Sequence, residues 1–163
     1  MADVCVIDMQ GFMANKNEFI AKEVAVIHGK KQKIAHFAFM PPTNRHPDIQ
    51  QQYFLENVHG IKWNSGYVLY ELLQTVLQQV TKDFCKRKSE KRFFGKNLLN
   101  KHVINLEDFA CPSLNAIRVS DEFQSYGLCD DNVECFYYSF EIMNCVLFYV
   151  MMLSHWCKTN LSV

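Results

Sequence analysis

Cysteines 5, 85, 111, 129, 135, 145 and 157, together with six histidines, are the residues here whose types could ligate a metal or attack a bond. The seven cysteines are an odd set without a Cys-x-x-Cys pair, which argues against a zinc ribbon and against a disulfide framework. No basic start with an apolar core precedes them, so the expected compartment is reducing, either cytoplasmic or nuclear. A Cys/His nucleophile has no motif behind it, and no Gly-x-Gly-x-x-Gly or Walker loop supports nucleotide binding.

The second chemical feature is charge. The chain has 17 basic and 17 acidic residues, so a polybasic coat for nucleic acid is excluded, but the charges are segregated. Residues 82–101 carry eight bases against Asp83 and Glu90, a net of +6, whereas residues 102–163 carry two bases and eight acids. Lys82, Lys86, Arg87, Lys88, Lys91, Arg92 and Lys96 are the candidate nucleic-acid-binding residues. Lys88, Lys91 and Arg92 fall within one helical turn, with Phe93 and Phe94 alongside to face a core, so the cations share a surface able to meet phosphates. The alternative is a solvated helix face balanced by the acidic third that follows. A basic hairpin tip, Lys30, Lys31 and Lys33, extends the patch if it lies on the same side.

These residues must be positioned by one compact unit. Of 163 residues, 49% are hydrophobic and 21% charged, which suits a single domain over 1–163 and excludes a disordered or collagenous chain. Val4-Cys5-Val6-Ile7, closed by Asp8 and Gly11, reads as a central strand covered on both faces. Glu23 to His28 and Lys33 to Phe39 read as a hairpin turning at Gly29-Lys30-Lys31-Gln32 and ended by Pro41-Pro42. Pro47 to Asn57 suits a short helix stopped by Gly60.

From about Ser65 to Val80, Leu69, Leu72, Leu73, Val76, Leu77 and Val80 recur at helical spacing. A strand at Lys82–Lys86, a helix from Ser89 to Leu99 and a strand at Val103–Leu106 then give a β-α-β alternation, the mark of parallel pairing. Residues 107–132 are polar, with Cys111-Pro112-Ser113 opening a helical turn. Phe140 to Cys157 is almost continuously apolar but is interrupted by Asn144, Ser154 and His155, so it reads as a buried closing helix and not a membrane span.

Three antiparallel strands, a helix, β-α-β and a final helix resemble the ribonuclease H-like fold, especially its DEDDh exonuclease branch. The resemblance implies an α/β, five-stranded mixed sheet of three antiparallel then two parallel strands, flanked by helices. Enzymes of that kind hold two metal ions on four carboxylates. Their first-strand Asp-x-Glu is matched here by Asp8-Met9-Gln10, in which an amide replaces the second acid. The closing-helix His-x-Ala-x-x-Asp falls on Asn144 to Tyr149, with Asn144 for the histidine and Tyr149 for the aspartate. The resemblance therefore implies a pseudo-nuclease with no catalytic residues, Asp8 being vestigial and capping its strand end.

Three passages are more similar to the Maelstrom-type domain, a DEDDh-like relative without the nuclease acids. They are Lys22-Glu23-Val24-Ala25-Val26 with Lys33 to Pro42, then His59-Gly60-Ile61, then Cys135-Phe136-Tyr137-Tyr138 with Asn144-Cys145-Val146-Leu147. In that family a glutamate, two cysteines and a histidine gather around zinc, which by position gives Glu23, Cys135 and Cys145 here, with Tyr138 where the histidine should be. A neutral tyrosine is a poor zinc donor, so the expectation is no cofactor, or zinc bound weakly. His36, His59 or His155 substitutes if the fold brings one close.

The function this implies is a catalytically degenerate nuclease-fold domain that binds RNA or single-stranded nucleic acid through the 82–101 block, with small-RNA silencing the setting the resemblance suggests. Two alternatives stand beside it: a protein-protein interaction module on an inactive nuclease scaffold, and a metal-dependent nuclease. No membrane partner is expected.

Overall fold

A computed structural model describes residues 5–15, 18–28, 33–78, 83–85, 103–118 and 146–161. The helix expected over Ser89–Leu99 lies outside these residues. So do the basic candidates Lys82, Lys86, Arg87, Lys88, Lys91, Arg92 and Lys96, and the candidate ligands Cys135, Tyr138 and Cys145.

The first three strands form an antiparallel meander: β1 over Cys5–Asn15, β2 over Glu18–His28 and β3 over Lys33–Ala38. Two three-residue strands follow, β4 over Asp83–Cys85 and β5 over Val103–Asn105. The strands are hydrogen-bonded in the order β3-β2-β1-β4-β5, with β4 parallel to β1 and β5 parallel to β4.

The first hairpin is longer than the sequence predicts. Asp8 and Gly11 read as the end of a strand, yet β1 runs on to Asn15 because β2 starts at Glu18 and supplies partners as far as Glu18 itself. Gly11 sits at a register shift in this ladder, and a Cβ there would run into the Ile20 carbonyl and the backbone of Ala21. An irregularity of this kind needs a residue without a side chain, so the glycine bends the strand without ending it.

Both faces of the meander are covered, which is why β2 is buried from Ile20 to Ile27 with no polar-out alternation. On one face Val6, Ala25 and Ile27 pack with Val146, Leu147, Val150, Leu153 and Cys157 of the last helix, α4 (Val146–Asn160), and with Leu106, Cys111 and Ile117. Here α3 denotes the short helix Leu114–Arg118. On the other face Cys5, Ile7, Met9, Val24 and Val26 meet Phe39 and two leucines of α2 (Leu73–Gln78). A smaller cluster of Phe12, Ile20, Leu55 and Trp63 closes the far end of the hairpin.

The helix predicted from Ser65 to Val80 forms only in its second half. Residues 65–69 are not helical: the Tyr67 and Val68 amides both donate to the Ala38 carbonyl, and Val68 bridges Phe39 in parallel. Gly66, at φ 130°, lies against the backbone of Phe39 and Met40, an approach that only glycine allows. A single 3-10 turn over Tyr70–Leu72 leads into α2, so Leu73 and Leu77 are buried while Leu69 and Leu72 stay exposed. Competition from the sheet edge overrides the leucine periodicity over the first turn and a half.

Helix α1 (Ile49–Val58) starts with a reciprocal cap: the Gln51 amide donates to Asp48 Oδ1 at 2.8 Å, and the Asp48 amide donates to Gln51 Oε1 at 3.0 Å. The Gln51 side chain then donates to the Met13 and Ala14 carbonyls, fixing the helix against the end of β1. No helix among the described residues is long and apolar enough to cross a membrane.

Candidate functional site

The strand register collects polar side chains on the face of the sheet that α4 covers. Gln10 is the cross-strand partner of Glu23, Asp8 is the partner of Ala25, and Ala25 in turn is the partner of His36. Side chains that share a cross-strand position share a face, so Asp8, Gln10, Glu23 and His36 form one polar group spread over three strands. Val6 and Ile27, the next pair along the same face, belong to the apolar cluster under α4.

This group is closed to solvent. Asp8 and Glu23 have no exposed surface and Gln10 has 1%. His36 Nε2 stands 3.8 Å from Glu23 Oε1, too far for a direct hydrogen bond, and burial lowers the histidine pKa from its ordinary value. The imidazole is therefore neutral at neutral pH, and the contact is not a full ion pair. Two-metal hydrolysis needs charged carboxylates that a phosphate and water can reach. Here an acid, an amide and a second acid lie buried on the face that α4 covers.

The other end of the expected ligand sets is only partly in view. Tyr149 lies on α4, half-buried and tilted against Phe148 with ring centroids 6.4 Å apart. Asn144, Cys135, Tyr138 and Cys145 lie outside the described residues. Among the described residues no group of three or more His, Cys, Asp and Glu side chains is disposed to hold a metal ion. Of the three histidines considered as substitutes, His36 comes to 3.8 Å from Glu23.

The basic candidates lie in the chain between the two short parallel strands. Lys86, Arg87, Lys88, Lys91, Arg92 and Lys96 fall in the connection from Cys85, the last residue of β4, to Val103, the first of β5, and Lys82 directly precedes β4.

Two polar arrangements escape the sequence reading. Cys5 Sγ and His28 Nδ1 are 3.0 Å apart across the β1–β2 register, a satisfied thiol–imidazole hydrogen bond at the sheet end. Lys22, 1% exposed, sends its ammonium to the carbonyls of Phe39, Trp63 and Ser65. Burial pushes the Lys22 pKa down to about 8, with the charge of Glu23 opposing the shift, so the ammonium is still charged at neutral pH. Nothing in the local sequence marks either one, since a lysine beside a glutamate in a strand reads as a solvated pair.

No protein-family model matches the chain, and no curated protein is significantly similar to it.

Proposed function

We propose that the chain is a catalytically degenerate, ribonuclease H-like domain, similar to the Maelstrom type, that binds RNA or single-stranded nucleic acid through the 82–101 block. The observation that carries the binding reading is the concentration of charge: a net of +6 over 20 residues in a chain whose total charge is zero. A cation cluster of this density attracts phosphates by counterion release and needs no sequence-specific contact. Support for degeneracy comes from the first strand, where Gln10 takes the place of the second acid and lies buried beside Glu23. An amide there removes the charge that a metal pair requires, and burial removes the access.

The small-RNA setting follows from the family resemblance and belongs to the same proposal. The test is binding of a labelled single-stranded RNA by wild-type protein and by a Lys88→Glu, Lys91→Glu, Arg92→Glu variant, with cleavage followed in Mn²⁺ in parallel. The proposal expects wild-type binding, loss in the variant and no cleavage. Equal binding by the two proteins, or chelator-sensitive cleavage, overturns it.

A further inference from the structure

The excursion from Phe39 to Val68, which leaves the end of β3 and returns to its edge, is fastened to the sheet by one buried cation. Lys22 Nζ lies 2.6 Å from the Phe39 carbonyl oxygen and 2.8 Å from those of Trp63 and Ser65. An ammonium has three N–H donors, and here each has an acceptor. The same Nζ stands 5.5 Å from the centroid of the Trp63 ring, within cation–π range. With 1% exposure, the charge faces three carbonyl dipoles and a ring face, with the charge of Glu23 also acting on it.

The three acceptors come from both ends of the excursion. Phe39 is its first residue, while Trp63 and Ser65 lie just before its return, where the Tyr67 and Val68 amides donate to the Ala38 carbonyl and the Met40 amide to the Val68 carbonyl. The Phe39 amide donates to the Lys22 carbonyl and the Tyr67 hydroxyl to the His36 carbonyl, so the ends of the excursion are also bonded to β2 and β3, while its middle is held by less. Gln51 holds α1 to the end of β1, and the Arg45–Glu18 ion pair is 46% and 39% exposed, a geometry that contributes little. Apolar support comes from Phe39, at its first residue, which packs with Cys5, Ile7, Met9, Val24 and Val26, and from the four-residue cluster of Phe12, Ile20, Leu55 and Trp63 that covers its middle, against twelve buried residues in the cluster under α4. Segments with few buried contacts open at lower free energy than the core they lie on.

We infer that Lys22 acts as a tethered cation that latches residues 39–68 onto the sheet, and that this strap opens as a unit, separately from the α4 side, when the cation is withdrawn. Withdrawal takes the ammonium donor from three inward-facing carbonyls at once.

Hydrogen exchange reads the latch directly. In Lys22→Met, which keeps the length and apolar stem of the side chain, the amides of Met40, Ile61, Tyr67 and Val68 should exchange about a hundredfold faster than in wild type, while those of α4 keep their rates. In Lys22→Ala, added propylammonium, which replaces the deleted atoms, should restore slow exchange, and 1-propanol should not. A prediction that needs no variant to fold is that in wild-type protein the four strap amides already exchange at least about tenfold faster than the buried amides of α4. Wild-type rates that are equal in the two regions, Lys22→Met rates that are unchanged or rise equally in strap and α4, or rescue by propanol as good as by propylammonium overturn the inference.

Discussion

Replacing Gln10 with glutamate gives β1 the acid pair that a nuclease first strand carries, and the structure fixes what should follow. Gln10 is 1% exposed, its cross-strand partner is Glu23, and Asp8 lies two residues away on the same face. A third carboxylate in this place has no solvent to charge it and two acids beside it, so it keeps its proton in the folded state while the unfolded chain releases it above pH about 4.3. The folded pKa is thus raised, and the penalty grows as pH climbs from about 4.3 toward that value. If the folded pKa reaches 7, the 2.7-unit gap is worth about 3–4 kcal/mol at pH 7, roughly a 10 °C fall in Tm for a chain of this size. Urea unfolding of Gln10→Glu and wild type at pH 7 and at pH 4.5 should show a large difference at the first and less than about 1 kcal/mol at the second. Millimolar Mn²⁺ should not recover the loss. A variant as stable as wild type at pH 7, or one that gains several degrees with Mn²⁺, would mean that the row is hydrated and metal-competent, and the case for degeneracy would fail.

Two further outcomes follow from the packing. Gly11→Ala should lower stability by about 3 kcal/mol, seen as a shifted urea midpoint at unchanged slope, because its Cβ meets the Ile20 carbonyl and Ala21 backbone and not a flexible side-chain end. Burial, with the neighbouring Cys111 as second cause, pushes the Cys157 thiol up to about 12 from its ordinary 9.0. Below pH 9 the thiol is protonated in both states and costs nothing, whereas above it the unfolded chain ionises while the folded one does not, so the folded state loses stability as pH rises toward 12. Between pH 8 and pH 10.5 wild type should therefore lose about 2 kcal/mol more than Cys157→Ala, read from paired unfolding curves in which every other group titrates in common.

The parts of the fold legible in the sequence are those where burial and residue type agree. Glu23 to His28 and Lys33 to Phe39, separated by Gly29-Lys30-Lys31-Gln32, announce β2 and β3, and the apolar run from Phe140 to Cys157 announces α4. The extension of β1 past Asp8 was not legible, because Asp8, Gln10 and Gly11 are residues that usually end a strand, and only partnering by Glu18 to Glu23 keeps them in one. The same holds for Lys22 in β2: a lysine counts as surface until three distant carbonyls are known to converge on it. Leu69 and Leu72 misled in the opposite sense, since their spacing fits a helix while the edge of β3 captures residues 67 and 68 first. In the candidate site, the amide at Gln10, where the nuclease pattern has an acid, was readable from one position. The approach of His36 to Glu23 was not, because it depends on register across two strand pairs.

The central claim is that the 82–101 block binds single-stranded RNA by phosphate contacts, and its most direct test is the dependence of that affinity on salt. With about six phosphates neutralised, log K should fall against log[KCl] with a slope near −4, a loss of about 300-fold between 50 and 200 mM. Lys88→Ala, Lys91→Ala, Arg92→Ala, which neutralises three of the cations without reversing them, removes three of those contacts and should flatten the slope to about −2 while weakening binding at every salt concentration. A slope near zero for wild type, or the same slope for both proteins, contradicts the account.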